Sequence, residues 1–170
     1  MKSYNMIEQS TACLIQCNIT ALPVKLRKIC KVFQVKIVKL SDITKRQDRI
    51  NIIGGLIKID GQMCILIDDS TSIENQRLLI ACEIGRVFTG IQLSDEEAYR
   101  FGLNLLAPIP VLSAINVDDV YQLVKLCSIP LSAAKKQIVC IQNYKRNGVQ
   151  HDDIRLYTQF QNYIFGKINK

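Results

Sequence analysis

The chain has 170 residues, of which 48% are hydrophobic, enough for one domain with a buried core. Its 22 Lys and Arg against 15 Asp and Glu leave a formal charge of +7, which permits an acidic partner, nucleic acid included, although the cations are scattered rather than gathered into a tract. No apolar run reaches the roughly 20 residues that span a bilayer, and the polar start "MKSYNMIEQST" lacks the shape of a secretory signal, so a membrane protein is excluded and a cytoplasmic one expected.

Trp is absent and other aromatics are few, so the core is expected to be Ile, Leu and Val. Seven cysteines are an odd number and read as free thiols of a reducing compartment. Cys13 and Cys17 stand four apart on one helix face. As metal ligands they lack a nearby second pair, and small buried side chains are the plainer role.

In chain order, a weak helix is expected from about Tyr4 to Asn18. "LPVKLRKICKVF" is a clearer one, with Pro23 in its first turn and Leu26, Ile29, Cys30 and Phe33 on one apolar stripe. "VKIVKL", Val35 to Leu40, is β-branched and predicts a strand. "SDITKRQDR" reads as a loop before the apolar "INII". Two apolar runs flank Asp60-Gly61, a two-residue hairpin signal, so Leu56–Ile59 and Met63–Ile67 should pair antiparallel. Thr71 and Glu74 have capping-box spacing and open a helix that Gly90 can stop. Ser94 and Glu97 repeat that spacing and open a helix over "DEEAYRFGLNLL", which "APIP" should end. Then come "NVDDVYQLVKLC" with an Asn116 cap, the turn "SIPLS", the helix "AAKKQIVCIQNYK" and the loop "RNGVQ". A final amphipathic helix, "DDIRLYTQFQNYIFGKI", has Tyr157, Phe160 and Ile164 on one side. The pattern is that of an α+β fold: a small antiparallel sheet of about three strands packed on the Glu74–Thr89 helix, with helices on both sides.

The order of these pieces resembles the ImmA/IrrE family of gluzincin-like metallopeptidases. "GGLIKIDGQMCILIDD" is similar to the family's sheet, "ENQRLLIACEIGRVF" to its active-site helix, and "DEEAYRFGLNLLAP" to the following E-x-E-A-N-x-F-A-x-x-L-L-x-P helix. "LPVKLRKICKVFQVKIVKL" is similar to its first helix and strand. The resemblance covers about residues 20 to 110 as a peptidase-like core, with 111–170 as a helical C-terminal extension of the same single domain.

In the family's H-E-x-x-H motif, two histidines four apart present both imidazoles to zinc, and the glutamate between them is general base to the metal-bound water. The resemblance implies that Glu83 holds the base position, that Cys82 and Arg86 replace the two histidines, and that Asp95 holds the acid-ligand position. Glu97 falls on the second acid, and Tyr99 replaces the usual Asn. Cys82 and Asp95 have donor atoms for zinc. A guanidinium has no lone pair to give, so Arg86 does not. His151, the only histidine, lies far along the chain.

The expectation is therefore a pseudo-peptidase without a metal or other cofactor, in which Arg86 compensates Glu83, Asp95 or Glu97 in place of zinc. It would bind a protein without cutting it. By the resemblance, the partner is a helix-turn-helix repressor of a phage or mobile element. Three other readings stay open. One is an active, atypical zinc endopeptidase using Cys82, Asp95 and a further ligand, with His151 as one candidate. Another is a nucleic-acid-binding regulator, in which "VYQLVKLCSIPLSAAKKQI" is a helix-turn-helix in outline carrying Lys135, Lys136 and Gln137. The last is a nucleophile at Cys82, which lacks a nearby histidine base in the sequence. Against all of these stands a structural helix in which Glu83 and Arg86 simply pair at i, i+3.

Overall fold

The computed structural model describes residues 5–43, 54–90, 92–147 and 151–169. Helix α1 (Met6–Gln16) is capped by Asn5, whose side chain accepts from the Ile7 amide, and buries Cys13 and Leu14. Helix α2 (Leu26–Val32) buries Leu26, Ile29 and Cys30 on the expected stripe. Pro23 does not open this helix as expected. The Val24 carbonyl is taken by Arg77 Nη2 at 3.0 Å, and the helix starts only after Lys25.

Strand β1 (Lys36–Lys39) follows, then a single helical turn, α3 (Leu40–Ile43). That turn replaces the start of the expected loop: Leu40 is buried, and the Asp69 carboxylate accepts from Ser41 N and Oγ at 3.1 and 2.6 Å. The rest of that loop and "INII" lie outside the described residues. Strands β2 (Gly54–Ile59) and β3 (Gln62–Ile67) pair antiparallel, with Leu56 opposite Ile65. Asp60 and Gly61 both take positive φ, 49° and 79°, the two-residue turn whose twist suits a hairpin.

The sheet order is β1-β3-β2, and β1 runs parallel to β3 with Ile37 opposite Ile65. The sheet is thus mixed, not antiparallel. Only the hairpin partner is specified by a turn. β1 joins the sheet through a crossover whose direction its four residues do not encode.

Helix α4 (Ile73–Thr89) packs on β2 and β3 and ends at Gly90, whose φ is 62°. Its cap is Ser72 rather than Thr71. The Thr71 hydroxyl donates to the Asp68 carbonyl at 2.8 Å, which leaves Ser72 to accept from Asn75 N. Helix α5 (Asp95–Leu106) carries the expected capping box of Ser94 and Glu97, and "APIP" ends it.

The sequence reading had no helix at α6 (Ile109–Ala114), for which Pro108 is the cap and Pro110 sits in the first turn. Asn116 does not cap the next helix. At φ 55° it closes α6 instead, with Asn116 N bonded to Ser113 O and Val117 N to Leu112 O. Asp119 caps α7 (Val120–Cys127), and Ser128 leads to α8 (Leu131–Asn147), which takes in the first residues of the expected "RNGVQ" loop. The rest of that loop lies outside the described residues. Helix α9 (His151–Ile168) buries Leu156, Phe160 and Ile164, with Tyr157 half-buried beside them.

One apolar core runs from Met6 to Ile164, centred on Leu14, Phe101, Leu105, Leu112 and Phe160. α5 packs between α4 and α1, and α9 closes on α1 and α6. Gln159 Nε2 ties α9 to the other end of the chain by donating to Leu14 O at 2.9 Å and Ile19 O at 2.6 Å. All seven cysteines are free thiols; Cys13 and Cys17 are both buried, as expected of small core side chains. Among the described residues, no helix is long and apolar enough to cross a membrane.

Candidate functional site

α4 and α5 pack closely where a glycine of each meets the other helix. A β-carbon added at Gly102 would stand 2.7 Å from the Cys82 amide nitrogen and 2.9 Å from its sulfur. One added at Gly85 would stand 2.7 Å from Cδ1 of Phe101. Such distances are below van der Waals contact, so Gly102 lets the α5 backbone rest on that of α4 at Cys82, and Gly85 leaves room for the Phe101 ring. The sequence reading passed over Gly102. A glycine on the apolar face of an amphipathic helix was the signal that a backbone comes close there.

Asp95 is placed by its neighbours. Ser94 Oγ accepts from Glu97 N at 3.2 Å, and Glu97 Oε2 accepts from Ser94 N at 2.9 Å and from Ser94 Oγ at 2.8 Å. These bonds hold the Glu97 carboxyl below the usual carboxylate range. They also fix Asp95 as the first residue of α5, directed at α4. Glu97 is thereby engaged with its own cap and takes no part in the ion pairs described next.

Arg86 joins the two helices. Its Nη1 lies 3.3 Å from Glu83 Oε1 and its Nη2 lies 2.5 Å from Asp95 Oδ1. The Glu83 side chain is 9% exposed, that of Arg86 24%, while that of Asp95 is fully exposed. The inner pair is therefore a sheltered interaction and the outer one is screened by water. Burial pushes the Glu83 carboxyl above its ordinary range; the Arg86 charge pulls it back and the Asp95 charge adds to the rise.

Cys82 lies next to this group. Burial, with the charges of Glu83 and Asp95, pushes its thiol up to about 12 against the pull of Arg86. It is a neutral thiol at physiological pH, unlike a nucleophilic cysteine, whose thiolate is favoured by its surroundings. Tyr99 stands close enough for Cys82 to add to the rise that burial gives its phenol, and Lys136 Nζ sits 4.8 Å over its ring.

The structure thus brings Cys82, Glu83, Arg86 and Asp95 together and leaves Glu97 aside. His151 begins α9, and its side chain lies outside the described residues. The donors of this cluster do not suit zinc. The guanidinium has no lone pair to give and engages one oxygen of Glu83 and one of Asp95, and the thiol must lose a strongly held proton before it can ligate. Among the described residues, no three His, Cys, Asp or Glu side chains are grouped so as to hold a metal ion.

The α7–α8 pair has the outline of a helix-turn-helix, but Gln137 is turned inward. It is 1% exposed and donates to Asn104 Oδ1 at 3.1 Å and Ala107 O at 2.6 Å, so it cannot reach a base edge.

No protein-family profile, curated protein or solved structure matches the chain.

Proposed function

We propose that this chain is a catalytically degenerate relative of the ImmA/IrrE metallopeptidases, a cytoplasmic module that binds a protein without cleaving it. The observation that carries the reading is Arg86. It bridges Glu83 and Asp95 with its two Nη atoms, and in the resemblance these three positions are a histidine ligand, the general base and the acid ligand. A cation on one side chain then neutralises the carboxylates that a zinc ion would otherwise neutralise. Glu83 keeps the base position, but with Arg86 where a metal ligand would stand the reading assigns it no hydrolytic step. By the same resemblance, the proposed partner is a helix-turn-helix repressor of a phage or mobile element.

Elemental analysis of protein purified without chelator or a metal-affinity tag tests this. The reading expects well under ~0.2 zinc per chain. About one zinc per chain, lost together with stability on Cys82→Ser, would overturn it in favour of an atypical zinc endopeptidase.

A further inference from the structure

A groove of about 740 Å³ opens between α2, β1 and the first half of α4, and it shares no residue with the Arg86 cluster. Ile73, Gln76, Arg77 and Ile80 form its α4 wall at i, i+3, i+4 and i+7, on the side of the helix away from Cys82 and Arg86. Its floor is aliphatic and buried, made by Leu26, Val35, Ile67 and Ile80 beside Cys30, and Ile73 stands at the lip, 70% exposed.

The rim is cationic. Lys25, Arg27, Lys31 and Lys39 are exposed around it, and Asp42 is its one acid among the described residues. None of these four, nor Arg77, has a carboxylate within ion-pair distance among the described residues. Arg77 is half-buried, and its guanidinium donates only to main-chain carbonyls: Ser128 at 3.1 Å, Val24 at 3.0 Å and Cys127 at 3.4 Å. A charge held there gains from an anion in the groove, because burial weakens its hydration.

We propose that this groove binds an acidic peptide segment of a partner protein, with the segment's carboxylates on the Lys25, Arg27, Lys31, Lys39 and Arg77 cations and its aliphatic side chains on the floor. The lining decides against nucleic acid. Among the described residues it has no aromatic or histidine side chain on which a base could stack, and a concave aliphatic floor complements neither a phosphate backbone nor a base edge. A bilayer surface is also a poor fit, since the apolar floor lies at the bottom of a trough. The inference depends only on the groove. It stands or falls separately from the ancestry of the Arg86 cluster.

Short random peptides displayed on phage provide the test. Selection on the wild-type protein should enrich Asp and Glu interleaved with Leu, Ile, Val or Met. A selected peptide, made synthetically, should bind about tenfold more weakly to Lys31→Glu/Lys39→Glu, and more weakly to Ile73→Ser. All three positions are exposed, so the fold should survive, which circular dichroism checks. Binding should also fall as salt is raised. The proposal is overturned if no peptide is enriched, if the enriched peptides lack acids or aliphatics, or if the charge-reversed protein binds them equally. It is also overturned if single-stranded DNA, duplex DNA or phosphatidylserine vesicles bind the wild type tighter than the peptide does.

Discussion

Glu83 is the residue on which the site's energetics turn. Its folded carboxyl titrates above its ordinary range, so between the unfolded and folded values the native state holds more protons than the unfolded one. The sign follows: protonated Glu83 favours the fold at low pH, and that contribution is lost as pH rises through the raised value. Glu83→Gln should remove this fall, seen as a flatter difference in urea stability against the wild type between ~pH 4 and ~pH 8. Arg86→Met takes away the opposing cation. It should steepen the fall and cost about 1–3 kcal/mol at neutral pH, because a sheltered carboxylate is left unpaired. Gly102 makes a second prediction at this scale. Gly102→Ala drives a methyl into the Cys82 backbone and should cost about 1–3 kcal/mol, whereas Gly166→Ala on α9, with open space around it, should gain up to ~1 kcal/mol. Thermal or urea unfolding of the two variants gives the comparison.

Helix caps decide where the site's elements begin. Ser94→Ala removes both the acceptor of Glu97 N and a donor to the Glu97 carboxylate, so it should cost about 1–2 kcal/mol, more than Ser72→Ala, whose single bond to Asn75 N is long at 3.3 Å. Unfolding midpoints of the two variants measure the difference. The same caps show what was legible in the sequence. The Ser94–Glu97 box and the Asp60-Gly61 turn could be read because each depends on side chains within three residues of one another. Thr71 and Asn116 were misread because tertiary or neighbouring groups compete for them: the Asp68 carbonyl takes the Thr71 hydroxyl, and the end of α6 takes Asn116. Within the site, the Glu83–Arg86 pair is visible from its i, i+3 spacing. That Asp95 reaches the same guanidinium from the next helix depends on the approach of α4 and α5 at Gly85 and Gly102, which no local pattern states.

At the scale of the whole molecule, α+β architecture was readable from the separation of apolar strand patterns and long amphipathic helices. The parallel placement of β1 was not, because strand direction across a crossover is set by packing rather than by the strand's own residues. The positive charge divides in the same way. Along the chain the cations look dispersed, but α2, β1 and α4 bring five of them to one groove. The central claim, that Arg86 stands in for a metal, concerns the Cys82–Arg86 end of α4. Its most direct test is zinc titration of the folded Cys82→His/Arg86→His variant beside the wild type, with Arg86→His alone as an intermediate. If positions 82, 86 and 95 converge as described, the two imidazoles at i, i+4 with Asp95 as third ligand should bind about one zinc per chain, the single variant more weakly and the wild type none. A folded double variant that takes up no more zinc than the wild type would contradict the account and leave α4 an ordinary structural helix.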